Sequence, residues 1–232
     1  MVDTLAVQSV TTVIGDKTLI KDITFQLPKG TVMALVGHNG AGKSTLLKTI
    51  MGIEKKNHGK IIIQDTYDQD DNFLAFKQRI SYLPEEPLLL TELTVMQHFQ
   101  LYGMAYGLEE DELLDKVDRY VKGFELTAKM DEYPDALSKG MRQKVQTICA
   151  LLPDTPVLLI DEPFMGLDVF AMDYLISLIH EKKQDGTSIL LTTHQLDRVK
   201  HLASQYILLT DGMLINQGSI QDFDTIQRGT NQ

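Results

Sequence analysis

The sequence predicts an α/β domain in which short buried strands alternate with helices, with a helical block set into the alternation. The segment Gly37-His38-Asn39-Gly40-Ala41-Gly42-Lys43-Ser44 fits G-x-x-x-x-G-K-[ST], a phosphate-binding loop between a strand and a helix. Continuous apolar runs such as Val157-Leu158-Leu159-Ile160 read as strands buried on both faces. From Glu86 to about Pro153, by contrast, the pattern becomes helical.

A chain of 232 residues with 43% apolar content can bury the core of one substantial domain with a small inserted lobe. The formal net charge of -10 argues against a general nucleic-acid surface, so no nucleic-acid partner is expected. The one cysteine, Cys149, excludes an intrachain disulfide framework and fits a reducing compartment. Its apolar neighbours predict a buried helical thiol. The first residues lack the basic and apolar regions of a signal peptide. No apolar run approaches the ~20 residues that span a bilayer. A cytoplasmic chain, attached to a membrane only through a partner, is the expectation.

In chain order, residues 5–27 read as two β-rich runs around a turn at Ile14-Gly15-Asp16-Lys17. In the second run Ile23, Phe25 and Leu27 alternate with polar neighbours, as in a half-exposed antiparallel strand. Residues 31–36 form the strand that feeds the phosphate loop, and residues 44–50 the helix that follows. A strand at 60–63, a polar exposed loop at 65–72 and a strand at 79–83 come next. Thr94 is a plausible N-cap for a helix with Val95, Phe99, Tyr102 and Tyr106 near one face. Residues 109–122 make an amphipathic helix with Leu113, Leu114, Val117 and Val121 available for packing. Alternation resumes with the strand at 157–160, a helix at 169–183, a strand at 188–191 and a helix near 196–203. Asp211-Gly212 marks a hairpin, Ser219 caps a last short helix, and residues 228–232 are expected to fray.

The phosphate loop implies nucleoside triphosphate binding through its successive residues Gly37, His38, Asn39, Gly40, Ala41, Gly42, Lys43, Ser44 and Thr45. Glycines let backbone N–H groups turn around an anion, and the helix N-terminus adds a favourable dipole. Lys43 should reach the β- and γ-phosphates, and the Ser44 hydroxyl is placed to hold Mg²⁺. Asp161 and Glu162 end an apolar strand as adjacent carboxylates. There an Asp can hold Mg²⁺, directly or through water, and a Glu can polarise an attacking water. His194 lies just past the next strand, within reach of a γ-phosphate.

Leu137-Ser138-Lys139-Gly140-Met141, followed by Arg142-Gln143-Lys144, resembles the signature motif of ATP-binding cassette (ABC) proteins. Asp161-Glu162-Pro163 and Gly166-Leu167-Asp168 resemble that family's Walker B motif and D-loop, and His194 falls at its switch histidine. With the phosphate loop, these motifs occur in family order over almost the whole chain. Leu93-Thr94-Val95-Met96, Ala105-Tyr106-Gly107-Leu108 and the signature segment are most similar to Ecs-type bacterial exporter ATPases.

The resemblance implies a P-loop NTPase fold: a RecA-like core, an antiparallel β subdomain and an inserted α-helical subdomain. One cassette would cover residues 1–232, with about 1–85 and 154–232 as catalytic core and β subdomain, and about 86–153 as helical subdomain. It also implies ATP and Mg²⁺ as cofactors and transmembrane permease subunits as partners. A second copy, or a homologous cassette, would pair head to tail with this one. Ser138 and Gly140 would then meet the γ-phosphate held by the partner, Glu162 would be the general base, and His194 would stabilise phosphate and water. Asp168, in the D-loop, would be counted with these catalytic residues.

Departures from the family pattern are Lys139 and Met141, which replace the usual Gly and Gln, and Glu85, which stands at the Q-loop glutamine as a candidate metal-water acceptor. Ile14 stands where an adenine-stacking aromatic is common. The implied activity is ATP hydrolysis driving a bacterial exporter at the cytoplasmic membrane face. A single-cassette ATPase in an assembly system is the other reading.

Overall fold

The computed structural model describes residues 3–194 and 199–223. β1 (Asp3–Ile14) and β2 (Lys17–Pro28) are long antiparallel partners, and β3 (Val32–Val36) leads through the phosphate loop into α1 (Lys43–Met51). β4 (His58–Ile63) and the short β5 (Tyr67–Asp68) return to the first hairpin. Then follow α2 (Phe73–Lys77), β6 (Ile80–Leu83), α3 (Val95–Tyr106), α4 (Glu110–Gly123) and α5 (Lys139–Leu151). The chain continues through β7 (Val157–Ile160), α6 (Val169–Gln184), β8 (Ser188–Thr193), β9 (Gln205–Thr210) and β10 (Met213–Ser219). One sheet is antiparallel, in the order β2-β1-β4-β5. The other, β10-β9-β3-β8-β7-β6, is parallel apart from its β10 edge. This is the mixed α/β cassette architecture that the motifs imply.

The parallel sheet divides two cores, and the period-2 geometry of a strand sorts its residues between them. Val32, Ala34 and Val36 face a core built with α3 to α6, whereas Met33 and Leu35 face one shared with α1 and the antiparallel sheet. β7 repeats the division, with Leu158 and Ile160 on the first side and Val157 and Leu159 on the second. Burial on both faces is why these strands are continuously apolar. β6 and β7 pair directly, Ile80 opposite Val157, although α3, α4 and α5 lie between them in sequence. The helices thus leave and rejoin the sheet at neighbouring strands.

Thr94 caps α3 in a reciprocal capping box with Gln97, and Gly107 ends the helix in the left-handed conformation. Val95 and Phe99 are fully buried, while the Tyr102 hydroxyl accepts from Gln146 and that of Tyr106 donates to the Ile80 carbonyl. Burial pushes the Tyr106 phenol up to about 12. On α4, Leu113, Val117 and Val121 are buried, but Leu114, at the stripe's edge, is 43% exposed. Cys149 is fully buried in α5, which pushes its thiol well above the usual range.

The stretch at 65–72 is the expected exposed loop at residues 65, 66 and 70–72, but not in its middle, where Tyr67 and Asp68 form β5 and Asp68 and Gln69 are buried. The Gln69 amide donates to the carbonyls of Thr49 and Ile50 in the last turn of α1. A polar side chain is buried here because it closes a helix terminus. The expected helix near 196–203 lies partly outside the described residues, although Val199, Leu202 and Ala203 are buried. The tail at 228–232 lies wholly outside them.

Phe99 couples α3 to the core beneath the sheet. Phe99→Ala is expected to cost about 3–5 kcal/mol, seen as a lower urea midpoint at an unchanged slope. An unshifted midpoint would mean that α3 contributes little to that core.

Candidate active site

The site forms where the loop after β3 is held between β2 and the β9–β10 hairpin. A Cβ on Gly37 would stand 2.4 Å from the Leu209 carbonyl oxygen, so β9 leaves room only for glycine. Gly42 has φ 103, and a Cβ there would meet Ile20 at 2.9 Å. The Gly212 amide donates to the Ala41 carbonyl and its own carbonyl accepts from Lys21, joining hairpin, loop and β2.

Gly42 begins α1 with no side-chain cap, whereas Asn72, Thr94, Ser138 and Asp168 cap α2, α3, α5 and α6 through their side chains. The first-turn amides of α1 therefore remain available to an anion, with the helix dipole behind them. Lys43 lies across the loop, its Nζ donating to the Gly37 carbonyl at 2.8 Å and to that of His38 at 3.3 Å. His38 is exposed, with its Nε2 3.7 Å from Asp211.

This loop opens on a cleft of ≈ 650 Å³. Asn39, Gly40, Gly42, Lys43, Ser44 and Thr45 line one side, and Glu85, Glu162 and His194 face them. The Glu162 Oε2 and His194 Nδ1 are 3.0 Å apart. Asp161, 2% exposed, accepts from the Thr192 hydroxyl at 2.6 Å and, more loosely, from Tyr82 at 3.5 Å. Burial, followed by the charge and hydrogen bond of Asp161, pushes the Tyr82 phenol well above its usual range. Chemically, the cleft offers amides and an ammonium to a polyphosphate, and a carboxylate–imidazole pair to a water at its end.

The chain matches the ABC transporter family over residues 20–165. It belongs to that family. It is 34% identical to the ABC-type transporter ATP-binding protein EcsA of Bacillus subtilis (strain 168) over 205 residues, 88% of this chain and 82% of EcsA. A solved ATP-binding subunit of an ABC transporter superposes with a TM-score of 0.91 at 35% identity, covering 97% of this chain and 93% of that one. The cassette cbiO1 from Clostridium perfringens, described as part of the ABC transporter complex cbiONQ, gives a TM-score of 0.79 at 26% identity, over 100% and 95% of the two chains. The chain is accordingly an ABC ATPase, an ATP-binding subunit of a transporter. Among the described residues, no helix is long and apolar enough to cross a membrane.

Not every motif of this ABC ATPase meets in the cleft. Ser138 caps α5, its hydroxyl accepting from the Met141 amide at 3.2 Å, and neither it nor Gly140 lines the space. A Cβ on Gly140 would stand 3.0 Å from the Gly166 carbonyl oxygen, so the start of α5 presses against the loop before α6. Lys144 clasps the same loop through Asp168 at 2.8 Å, and Asp168 also caps α6 by accepting from Ala171. Ile14, at the β1–β2 turn, is 42% exposed and does not line the cleft, whereas Leu19 and Met165 do. Sequence reading missed Leu19, Met165, Tyr82 and Thr192. Their roles depend on strand register and loop closure, which no local pattern signals.

The hydrogen bond from Lys144, then that from Ala171, holds the Asp168 carboxyl below its ordinary 3.8. A depressed folded-state value means stability present above 3.8 and lost as pH falls through the folded value. Asp168→Asn should therefore unfold at a lower temperature than wild type at pH 7, with the gap narrowing as pH drops below about 4. Thermal melts across that range are the check, and a gap independent of pH would exclude the charge as its source.

Proposed function

We propose that this chain is the engine of an exporter, working as one half of an ATP-sandwiched, head-to-tail dimer at the inner face of the cell membrane. The observation that carries the reading is the division of its motifs. Phosphate loop, Glu162 and His194 share one cleft, while Ser138 and Gly140 lie outside it. A second copy, or a homologous cassette, would bring its own Ser138 and Gly140 to the open side of that cleft. Charge developing on the transferred phosphoryl group would then be stabilised from both chains.

The loop residues from Gly37 to Thr45 would hold the triphosphate of ATP, with Lys43 exchanging its loop carbonyls for phosphate oxygens. Ser44, Asp161 and Glu85 offer hydroxyl and carboxylate oxygens, the hard donors that Mg²⁺ takes. Bound there, the ion would offset negative charge on the phosphates. Asp161 already accepts from Thr192 and Tyr82, so it suits contact through water. Glu162 would take the proton of the attacking water, and His194 at 3.0 Å would orient that carboxylate and bear on the γ-phosphate. At the base end, Leu19 would supply apolar contact without an aromatic stack, and Ile14 lies outside the cleft, leaving most of the affinity to the phosphates.

Beyond Glu85 the chain exposes Leu88 and Leu90, at 69% and 51%, and α3 exposes Met104 at 73%. These suit a groove for a helix of the membrane subunit, through which closure of the dimer would be transmitted. Gentle solubilisation should recover a polytopic membrane protein with the chain. Recovery of an assembly scaffold instead would overturn the transport role.

Replacing the base while keeping its shape tests the chemistry. Glu162→Gln should bind ATP normally and lose ~10²–10⁴-fold in phosphate release at saturating Mg·ATP. Turnover within a factor of about three of wild type would remove Glu162 from that role. The partner contact is tested separately. In the Glu162→Gln background ATP should produce dimers in sedimentation, and adding Ser138→Ala should diminish them while monomer ATP affinity stays the same. An undiminished dimer would argue against contact in trans.

A further inference from the structure

We propose that Thr192 is a positioning residue for ATP hydrolysis, whose hydroxyl ties the backbone of Glu162 to the side chain of Asp161. The proposal deepens the assignment of Glu162 as base and rests on it.

The ladder between β7 and β8 ends with Ile160 opposite Leu191, one residue short of Asp161 and Thr192. From there the chain after β7 turns away. The Asp161 amide still donates to Leu83 of β6 at 2.8 Å, but Glu162 enters the left-handed region with φ 48. That conformation costs a residue with a Cβ energy and persists only where its surroundings impose it. The group that meets it is the Thr192 hydroxyl, which accepts from the Glu162 amide at 2.9 Å.

A hydroxyl carries one hydrogen, and an amide can only donate. With its lone pair turned to Glu162, Thr192 directs that hydrogen to the Asp161 Oδ1 at 2.6 Å. Donor and acceptor are both engaged, and Thr192 is fully buried, so water does not compete for either bond. The carboxylate of one candidate Mg²⁺ residue and the backbone that aims the base are thereby held by a single oxygen atom. With the Glu162 backbone held, its carboxylate meets His194 at 3.0 Å across the cleft from the phosphate loop. Loss of the hydroxyl frees the left-handed residue to relax, and Glu162 then points differently. The amides, Lys43 and Ser44 that meet the phosphates are on another loop and remain.

Three variants separate position from packing. Thr192→Val matches the shape without a hydroxyl, Thr192→Ser keeps the hydroxyl without the methyl group, and Thr192→Ala lacks both. Steady-state hydrolysis should show kcat down roughly 10- to 100-fold for Val and Ala. KM for ATP should stay within a factor of about three, and Ser should recover most of the rate. ATP-driven dimerisation of Thr192→Val in the Glu162→Gln background should match that of Glu162→Gln alone. If Val does not fold, Ser against Ala carries the same comparison. Val at the wild-type rate, Ser as slow as Ala, or a loss residing in KM or dimerisation would each overturn the proposal. Glu162→Gln measured alongside keeps the two readings apart. If it is inactive while Thr192→Val is active, only the positioning role fails; if it is active, the base assignment fails first.

Discussion

The first amides of an α-helix are met by a capping side chain, by water or by an anion, and the start of α1 is built for the last. Its N-cap is Gly42, which offers no side chain, and β9 and β2 press the preceding loop from both sides. Those contacts replace the order that a capping side chain would supply. The β9–β10 hairpin reaches Ala41 and Lys21 through Gly212, so the antiparallel sheet braces the loop that the parallel sheet presents. Both cores serve that end, since each central strand divides its side chains between them.

The opposite wall of the cleft is made by strand ends. Adjacent parallel strands end at similar heights, which brings the chain after β7 and the chain after β8 side by side. Asp161 and Glu162 follow β7, Thr192 lies near the end of β8, and His194 follows β8. The strand residues that lead to them, such as Ile160 and Leu191, are apolar and buried, so polar groups at this edge satisfy one another or face the cleft. Asp161 turns inward to Thr192 and Tyr82, and Glu162 turns outward to His194.

The start of α5 obeys a different constraint. Ser138 is occupied within its own helix as a cap, and the loop holding Asp168 is clamped to α5 by Lys144. The two motifs therefore present one joined surface that does not close on the chain's own cleft. Leu88, Leu90 and Met104 stay exposed outside the two cores of the described residues.

Much of this is legible in the sequence. A loop motif spans eight consecutive residues, and buried parallel strands must be apolar on both faces, so phosphate loop, strands and the capped start of α3 could be read directly. Local chemistry also marked Asp161, Glu162 and His194, because carboxylates at the end of an apolar strand need a reason to be there. Polar residues placed by long-range contacts are harder to read. Asp68 and Gln69 sit within an otherwise largely exposed polar loop yet are buried, Gln69 against carbonyls of α1. Thr192 could not be singled out at all. Its partners lie 30 and 31 positions away, and only the pairing of β7 with β8 sets one hydroxyl between two residues of the neighbouring strand end. Sequence determined the chemistry available, through residue types at short spacing. The tertiary structure decided which groups share a cleft and which stay apart, because that depends on strand order and register, and these are settled by burying two faces of one sheet together.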